Sequence, residues 1–341
     1  AARRMLVILD GANTTSAALI AHALAPSCVH YLLASHSSLT EHSHPHALRH
    51  LGLTPMLRLD IRLSETAGSS IVLRMLGQML KVWEAIDSPA CLLLPPRFAW
   101  SSFPACGEDY NGAISASPAP PNQSIMDACQ YRLDNLAKPI HSLGYLERIA
   151  VQLAGILGTE RPPIDTKAAL LLITDGELPA DLTCILNALT TSASIPVHIL
   201  TVSQVIKDTR TAYETAYALA RTYPILILGA YEREESAAVS AALTGSLHGA
   251  AAGASLILPG DARTDRAAHT AADENTALRP YILHILPDML MIDTELTAGI
   301  AGILGIDIVR AALHVVNDMK TFTETGVAVA IDGAGAGRQV R

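Results

Sequence analysis

Aromatic residues make up only 4% of the chain, no two cysteines stand in a CxxC pair, and no basic stripe interrupts an acidic balance of formal charge −8. Each shortage excludes something. Half of the residues are apolar, with Ala, Leu, Ile and Gly dominant, and that composition suits helices packed closely on a buried sheet rather than an all-β sandwich. Without a run of Lys and Arg to neutralise a phosphate backbone, nucleic acid is excluded as a partner. The five cysteines, Cys28, Cys91, Cys106, Cys129 and Cys184, are scattered and odd in number, which supports neither a zinc site nor a disulfide framework. No apolar run reaches the roughly 18 residues of a membrane span. The opening "AARRMLVILDGANTT" has no long apolar segment with a cleavage site, so the sequence predicts a cytoplasmic protein with no membrane partner. It starts almost directly on a strand pattern, an expectation that residues precede it.

What is present alternates. "RRMLVILDG" reads as a buried strand closed by Asp10-Gly11, and "NTTSAALIAHALAP" as a helix capped by Asn13, Thr14 or Thr15. "CVHYLLASHSS" and "PMLRLDIRL" are further strand candidates. Between them "EHSHPHALRHLGL" reads as a helix ending near Gly52, and "AGSSIVLRMLGQMLKVWEAI" follows as a long one. Beyond a stretch rich in Pro, Ser and Gly, helices resume at "IMDACQYRLDNLA" and "LGYLERIAVQLAGIL". Strands then recur in "KAALLLITDGEL", "PVHILTVSQV", "YPILILGAY" and the apolar run ending at Gly260-Asp261. Strand, turn and helix in this order predict an α/β fold: a doubly wound parallel sheet, Rossmann-like and three-layered, with a small helical subdomain around Tyr131 to Leu157. Residues 1–105 and 121–341 are expected as two units joined by a linker at 106–120.

The tail carries an internal echo. "RPYILHILPDMLMIDTELTAGIAGILGIDIVRAALHVVNDM" repeats the plan of strand, acidic residue, small residues and long helix found in "LTPMLRLDIRLSETAGSSIVLRMLGQMLKVWEAI". Aligning "DTELTAG" with "RLSETAG" brings Glu295 within one place of Glu65, and Glu295 is the expected counterpart of Glu65.

Glu65 stands between a strand pattern and a helix start. From spacing alone it reads as a helix N-terminal carboxylate, stabilised by the dipole and by free N–H groups. The histidines His36, His42, His44, His46 and His50 invite a metal reading. Pro45 is expected to break any continuous helix through them, so the sequence predicts a solvated loop and no metal. "EREE", Glu232 to Glu235, reads as a solvated helix start. No GxGxxG follows a strand, so a generic dinucleotide-binding enzyme lacks its fingerprint.

Three blocks resemble the nicotinate-nucleotide:dimethylbenzimidazole phosphoribosyltransferase family. "LVILDGANTTSAALIAHALAPSCVHYLLASHSS" is similar to its strand, Asp-Gly, Ala-rich helix and "YL..SH" block. "ALRHLGLTPMLRLDIRLSETAGSSIVL" is similar to "HLGL.P.L.M..RLGEGSGA", and "LDNLAKPIHSLGYLERIAVQLAGI" to "KP.GSLG.LE..A.QLAGI". The family has the last block near its N-terminus and the second near its C-terminus, the reverse of the order here. Either residues 1 to about 105 are the tail of one unit followed by a second, compacted unit, or the first two pieces form one permuted unit with an extra copy behind. The continuous element order from 121 to 341 favours the tandem arrangement.

The resemblance implies transfer of ribose phosphate from nicotinate mononucleotide to 5,6-dimethylbenzimidazole, without metal or cofactor. Nicotinate leaves as a ring already carrying positive charge, whereas the incoming benzimidazole sheds its N–H proton. One carboxylate in an apolar pocket is the catalyst such chemistry needs, and Glu65 matches the family's catalytic glutamate. Leu63 and Gly68 are implied walls for the flat ring. Phosphate contacts are implied at Asp10-Gly11, at Ser35-His36 and at Asp175-Gly176, where the family has "ADHG"; Ser142 and Gly144 match the "SLG" signature. Departures are Gly176 in place of a histidine, His141 before "SLG", and "GAYEREESAA" in place of the family's "GE.G..NTT". They leave open a non-catalytic paralogue. Homodimerisation is implied by the family.

Overall fold

A computed structural model describes residues 3, 5–37, 41–62, 66–86, 119–202, 207–231, 237–253, 255–286, 288–291 and 296–328. Leu63, Glu65, Glu295, the "EREE" stretch and all but the last two residues of the expected linker lie outside the described residues. The apolar runs closed by Asp-Gly or its reverse become parallel strands. Ala168–Thr174 (β3), Val197–Thr201 (β4), Ile225–Tyr231 (β5) and Leu256–Pro259 (β6) form a parallel sheet in the order β4-β3-β5-β6. β3 is buried at all seven positions, which is why it reads as an unbroken apolar run rather than an alternating one. Leu170 pairs with Val197 on one side and Ile227 on the other. Connections run through Ala180–Ala193 (α6), Lys207–Thr222 (α7) and Ala237–Gly253 (α8). The winding direction reverses beside β3, the arrangement of a doubly wound sheet. Small residues let α7 and α8 pack closely: a Cβ on Gly245 would lie 2.3 Å from the Tyr213 carbonyl oxygen.

The first part is smaller. Val7–Leu9 (β1) pairs in parallel with Leu32–Ala34 (β2), and helices Ala12–Leu24 (α1), Ser43–His50 (α2) and Ala67–Ile86 (α3) surround the pair. The helices Gln123–Asp134 (α4) and Tyr145–Leu157 (α5) supply the small helical region. They pack on Ile300–Asp318 (α10), where Arg132 Nε donates to the Val316 carbonyl at 2.8 Å. Ala262–Glu274 (α9) follows β6, and the short Phe322–Thr325 (α11) ends the described chain. By length and hydropathy α10 could cross a membrane, but 67% of its apolar window is buried against the rest of the fold.

Several sequence expectations need correction. The second strand shrinks to Leu32–Ala34 because Pro26–Tyr31 winds into a 3-10 turn, with Pro26 at its first position. "PMLRLDIRL" is extended but carries only bridges at Leu57. Pro45 does not break α2; it lies in the first turn, where its missing N–H has no intrahelical partner to lose, and His44 and His46 share the helix. His36 and His44 are buried rather than solvated. The helix α1 begins at Ala12, and Thr14 accepts the Asp10 N–H at 2.8 Å instead of capping from outside. Helix α6 lies between β3 and β4, where the sequence reading had placed none. Cys184 is disulfide-bonded, while Cys28 and Cys129 keep free thiols.

The echo is visible in space, with a shifted register. Leu57 bridges Leu290 in antiparallel fashion, Arg58 N–H donates to Met289 O at 2.9 Å, and Met291 N–H donates to Met56 O at 2.8 Å. Leu57 and Leu290 are 233 residues apart, as are Ala67 and Ile300, which begin α3 and α10. The two hydrogen bonds therefore exchange under that offset, giving a local two-fold relation. At this offset the position of Glu65 corresponds to Ala298, not to Glu295, because the second copy starts its helix later relative to the "TAG" motif.

The two family-like blocks meet at one seam. Tyr145 N–H donates to Leu59 O at 2.9 Å, and Arg62 N–H to Ser142 O at 2.8 Å. Gly144 caps α5 at φ 53, and a Cβ there would lie 2.3 Å from Asp60 O and 2.4 Å from Leu59 O. Only glycine meets both demands. Gly144→Ala is expected to lower stability by roughly 3 kcal/mol through steric overlap added to strain. Gly158→Ala, also at positive φ but with nothing within 4 Å, should cost about 1 kcal/mol. Urea midpoints of the two variants measure the difference, and equal losses would show that the seam is not tight.

Candidate functional site

Asp10 follows β1 directly, so its side chain emerges at the carboxyl end of a strand, the edge where α/β sheets place ligands. Its carboxylate turns to the start of α3. Oδ2 accepts the Thr66 N–H at 2.7 Å and Oδ1 the Ser69 N–H at 2.8 Å. The carboxylate that caps α3 therefore comes from a residue 56 positions away from Thr66. Thr66 holds a left-handed backbone, φ 67, which places Glu65 immediately ahead of the capped turn in sequence.

Ser35 and His36 follow β2, beside Asp10. Ser35 Oγ lies 3.0 Å from His36 Nδ1. The imidazole lies over Gly68, where a Cβ would come within 2.1 Å of Nδ1; Gly68 is thus required as a seat for the ring. His44 packs edge-on against His36 with ring centroids 6.2 Å apart, and its Nε2 lies 3.1 Å from Thr15 Oγ1. Burial lowers the pKa of both imidazoles; for His36 the Asp10 carboxylate opposes the shift and His44 adds to it. The result is a buried polar cluster of Asp10, Thr15, Ser35, His36 and His44 beneath the amino end of α3. Gly11, at φ 145, is the N-cap of α1.

Ser142 and Gly144 approach from the other side of the seam. Behind them Lys138 Nζ meets Glu147 Oε1 at 2.9 Å, both side chains almost wholly buried, and the same oxygen accepts the Leu143 N–H at 2.9 Å. This ion pair fixes the 142–144 turn against residues 59–62. Three buried polar atoms gathered there, Asp60 Oδ1, Ser142 Oγ and Glu147 Oε2, have no hydrogen-bond partner among the described residues. Asp60 is itself strained, at φ 51, and strain of this kind concentrates at functional sites. An apolar cavity of about 420 Å³ opens between α3, α5 and α10, lined by Ala67, Ser70, Ile71, Leu143, Leu146 and Val315, with Arg74 and His314 at its polar side.

Asp175-Gly176 stands elsewhere. It follows the carboxyl end of β3, an inner strand of the four-stranded sheet, where Thr174 Oγ1 donates to Gly176 O at 2.8 Å. Asp10, Ser35 and His36 instead follow the strands of the separate β1–β2 pair. Asp60, Lys138 and Glu147 were not singled out by sequence reasoning, and Thr15 and His44 were read only as a helix cap and as part of a solvated loop. For Lys138 and Glu147 the signal was available, since both are fixed positions of the "KP.GSLG.LE" signature.

A phosphoribosyltransferase family model matches residues 1–89 and 119–182. Among curated relatives, the nicotinate-nucleotide–dimethylbenzimidazole phosphoribosyltransferase of Halalkalibacterium halodurans is 44% identical over 82 residues, 24% of this chain and 23% of that protein. The enzyme of the same name from Corynebacterium efficiens is 49% identical over 73 residues, covering 21% and 20%. That from Variovorax paradoxus is 37% identical over 107 residues, covering 31% and 26%. The chain thus spans about a quarter of the length of these relatives. A crystal structure of the Thermus thermophilus phosphoribosyltransferase of that name aligns with a TM-score of 0.49 at 16% identity, over 61% of this chain and 99% of that one. Both matched blocks contribute to the seam at residues 59–62 and 142–145, and over these blocks the chain is similar to this phosphoribosyltransferase family.

Proposed function

We propose that the chain transfers ribose phosphate from nicotinate mononucleotide to 5,6-dimethylbenzimidazole, releasing nicotinate and forming α-ribazole phosphate, with Glu65 as general base. The observation that carries this reading is the cap on α3. Asp10 already accepts the free N–H groups of the helix start, so the ordinary N-terminal role of a carboxylate is filled and Glu65 is not needed for it. The benzimidazole N–H proton requires one acceptor within hydrogen-bond reach. The adjoining apolar cavity lies in the volume range of small-molecule sites. Residues 1–105 act in this reading as the tail of one unit, docked on a second unit spanning 121–341. Homodimerisation rests on the family resemblance alone, and light scattering of the purified chain tests it.

A second reading is favoured by Asp175-Gly176. This candidate phosphate turn follows a strand of the four-stranded sheet, whereas the Asp10–His36 cluster follows the two-stranded pair, and a folded but non-catalytic copy would tolerate phosphate turns on different sheets. Incubating the full chain with nicotinate mononucleotide and 5,6-dimethylbenzimidazole, while following nicotinate and α-ribazole phosphate together, decides between the two. Turnover is expected, and Glu65→Gln should lower it roughly 10²–10⁴-fold with an unchanged melting midpoint. Undiminished turnover in that variant removes Glu65 as the base, whereas a folded chain that forms no product supports the second reading.

The same cluster sets a pH dependence. Burial holds the pKa values of His36 and His44 below 6.5, so the unfolded chain takes up these protons first as pH falls. Their contribution to stability is complete above the unfolded value and is lost as pH drops through the lowered ones. His36→Gln should therefore show a smaller fall in urea midpoint than the wild type between about pH 7.5 and about pH 5.5; an identical fall would mean that His36 is not held neutral.

A further inference from the structure

The described residues gather potential metal ligands at two places outside the polar cluster under α3: Asp134, His141 and Glu147, and Asp265, His269 and His284. In the first group Glu147 is already paired with the Lys138 ammonium, so a cation is in place. The second group differs. Asp265 and His269 are four residues apart on one face of α9, and His284 enters from the segment that pairs with β6 through Ile282. All three ligand atoms lie within 4.8 Å of one another. His284 Nδ1 is 2.7 Å from Asp265 Oδ1, and His269 Nε2 is 3.6 Å from Asp265 Oδ2. The second distance is too long for a hydrogen bond. It does match the edge of a tetrahedron built on metal–ligand bonds of about 2.0–2.2 Å, which is roughly 3.4 Å.

We propose that Asp265, His269 and His284 bind a divalent transition-metal ion, zinc being the best fit. Two imidazoles and one carboxylate form a borderline donor set, which suits zinc and cobalt better than the all-oxygen preference of magnesium or calcium. The Asp265 side chain is only 10% exposed, and a buried carboxylate calls for a compensating charge. The His269 side chain is 59% exposed, so it can swing about its Cα–Cβ bond to complete the set while the fourth position stays open to solvent. The two rings stack with centroids 4.0 Å apart, so both imidazoles stand on the same side of the carboxylate.

The internal echo shows that the triad belongs to the second copy alone. The helices α1 and α9 each have thirteen residues, and each is followed one residue later by a six-residue 3-10 turn ending in tyrosine, Tyr31 and Tyr281. Superposing them in register sets Thr15, Leu19 and Ala34 opposite Asp265, His269 and His284. None of the three could replace its counterpart as a ligand. The triad therefore has no equivalent in the polar cluster at Asp10.

The test uses the full chain, stripped with a chelator and titrated with Co²⁺. One equivalent should bind and give the visible d–d absorption of a four-coordinate site, and Zn²⁺ should displace it. His269→Gln, at an exposed position, and His284→Ala should each weaken Co²⁺ binding roughly tenfold or more, with circular dichroism unchanged. His46→Ala and His141→Ala should bind as the wild type does. If His269→Gln and His284→Ala both retain wild-type binding, the ion sits elsewhere and the proposal fails; it fails equally if the folded wild type gives no d–d band.

Discussion

Seven consecutive residues, Met56 to Arg62, carry hydrogen bonds to three different parts of the molecule. Leu57 N–H donates to Ser35 O, which ties the segment to the end of β2. Arg58 N–H and Met56 O bond to residues 289 and 291, which ties it to the second copy. Leu59 O and Arg62 N–H bond to Tyr145 and Ser142 at the start of α5. An extended backbone has donors and acceptors on both edges, and burial obliges it to satisfy them. Here Leu57, Leu59 and Ile61 are buried side chains of the main core, so the segment cannot turn its edges to water. That obligation joins blocks that are far apart in sequence.

The start of α3 follows from the same junction. With the segment fixed, the chain reaches the start of α3 only a few residues later, and Asp10 closes that start by accepting two N–H groups. The second copy solves the same problem with the residue order reversed. Gly260 precedes Asp261 there, and Asp261 Oδ2 accepts the N–H groups of Ala230 and Gly299. Thr14 and Thr264 keep equivalent places, each accepting the N–H of residue 10 or 260. Burial raises the Asp261 pKa while these hydrogen bonds oppose the shift. What both copies preserve is the carboxylate at a helix N-terminus, where the macrodipole favours it.

Elements with a strong local period were legible from sequence: "AGSSIVLRMLGQMLKVWEAI" is α3 from Ala67 to Ile86, and β3 and β5 follow their apolar runs. Short elements were not. Pro45 read as a break, yet it lies inside a first turn, and the 3-10 turn that Pro26 begins had no periodic signal. Residues such as Gly68 and Gly144 were found by resemblance, and the structure adds why they must be glycine. His44 with Thr15, and Asp10 with Thr66, escaped because their partners are 29 and 56 residues away. No periodicity reports a contact of that kind, and spacing made Glu65 look like the cap that Asp10 provides.

The two-fold relation between the copies has a feature that identical subunits cannot share. Arg74 on α3 and Asp307 on α10 occupy equivalent places, 233 residues apart, and form an ion pair at 3.3 Å. On the axis of an isologous dimer, a residue meets its own copy; arginine would face arginine, or aspartate would face aspartate. Two copies held in one chain are free to differ, and here they differ in charge. Gln78 Nε2 adds a 2.7 Å hydrogen bond to Asp307, and its counterpart at position 311 is an alanine, so the second partner is also one-sided. Asp307 is fully buried, and burial raises its pKa against the opposing pull of Arg74 and Arg310. Such a carboxylate is stable only with its partners in place. The pairing of α3 with α10 is therefore specified by complementary, non-identical residues, and it selects the contact between the two copies of one chain over the contact between like copies of two.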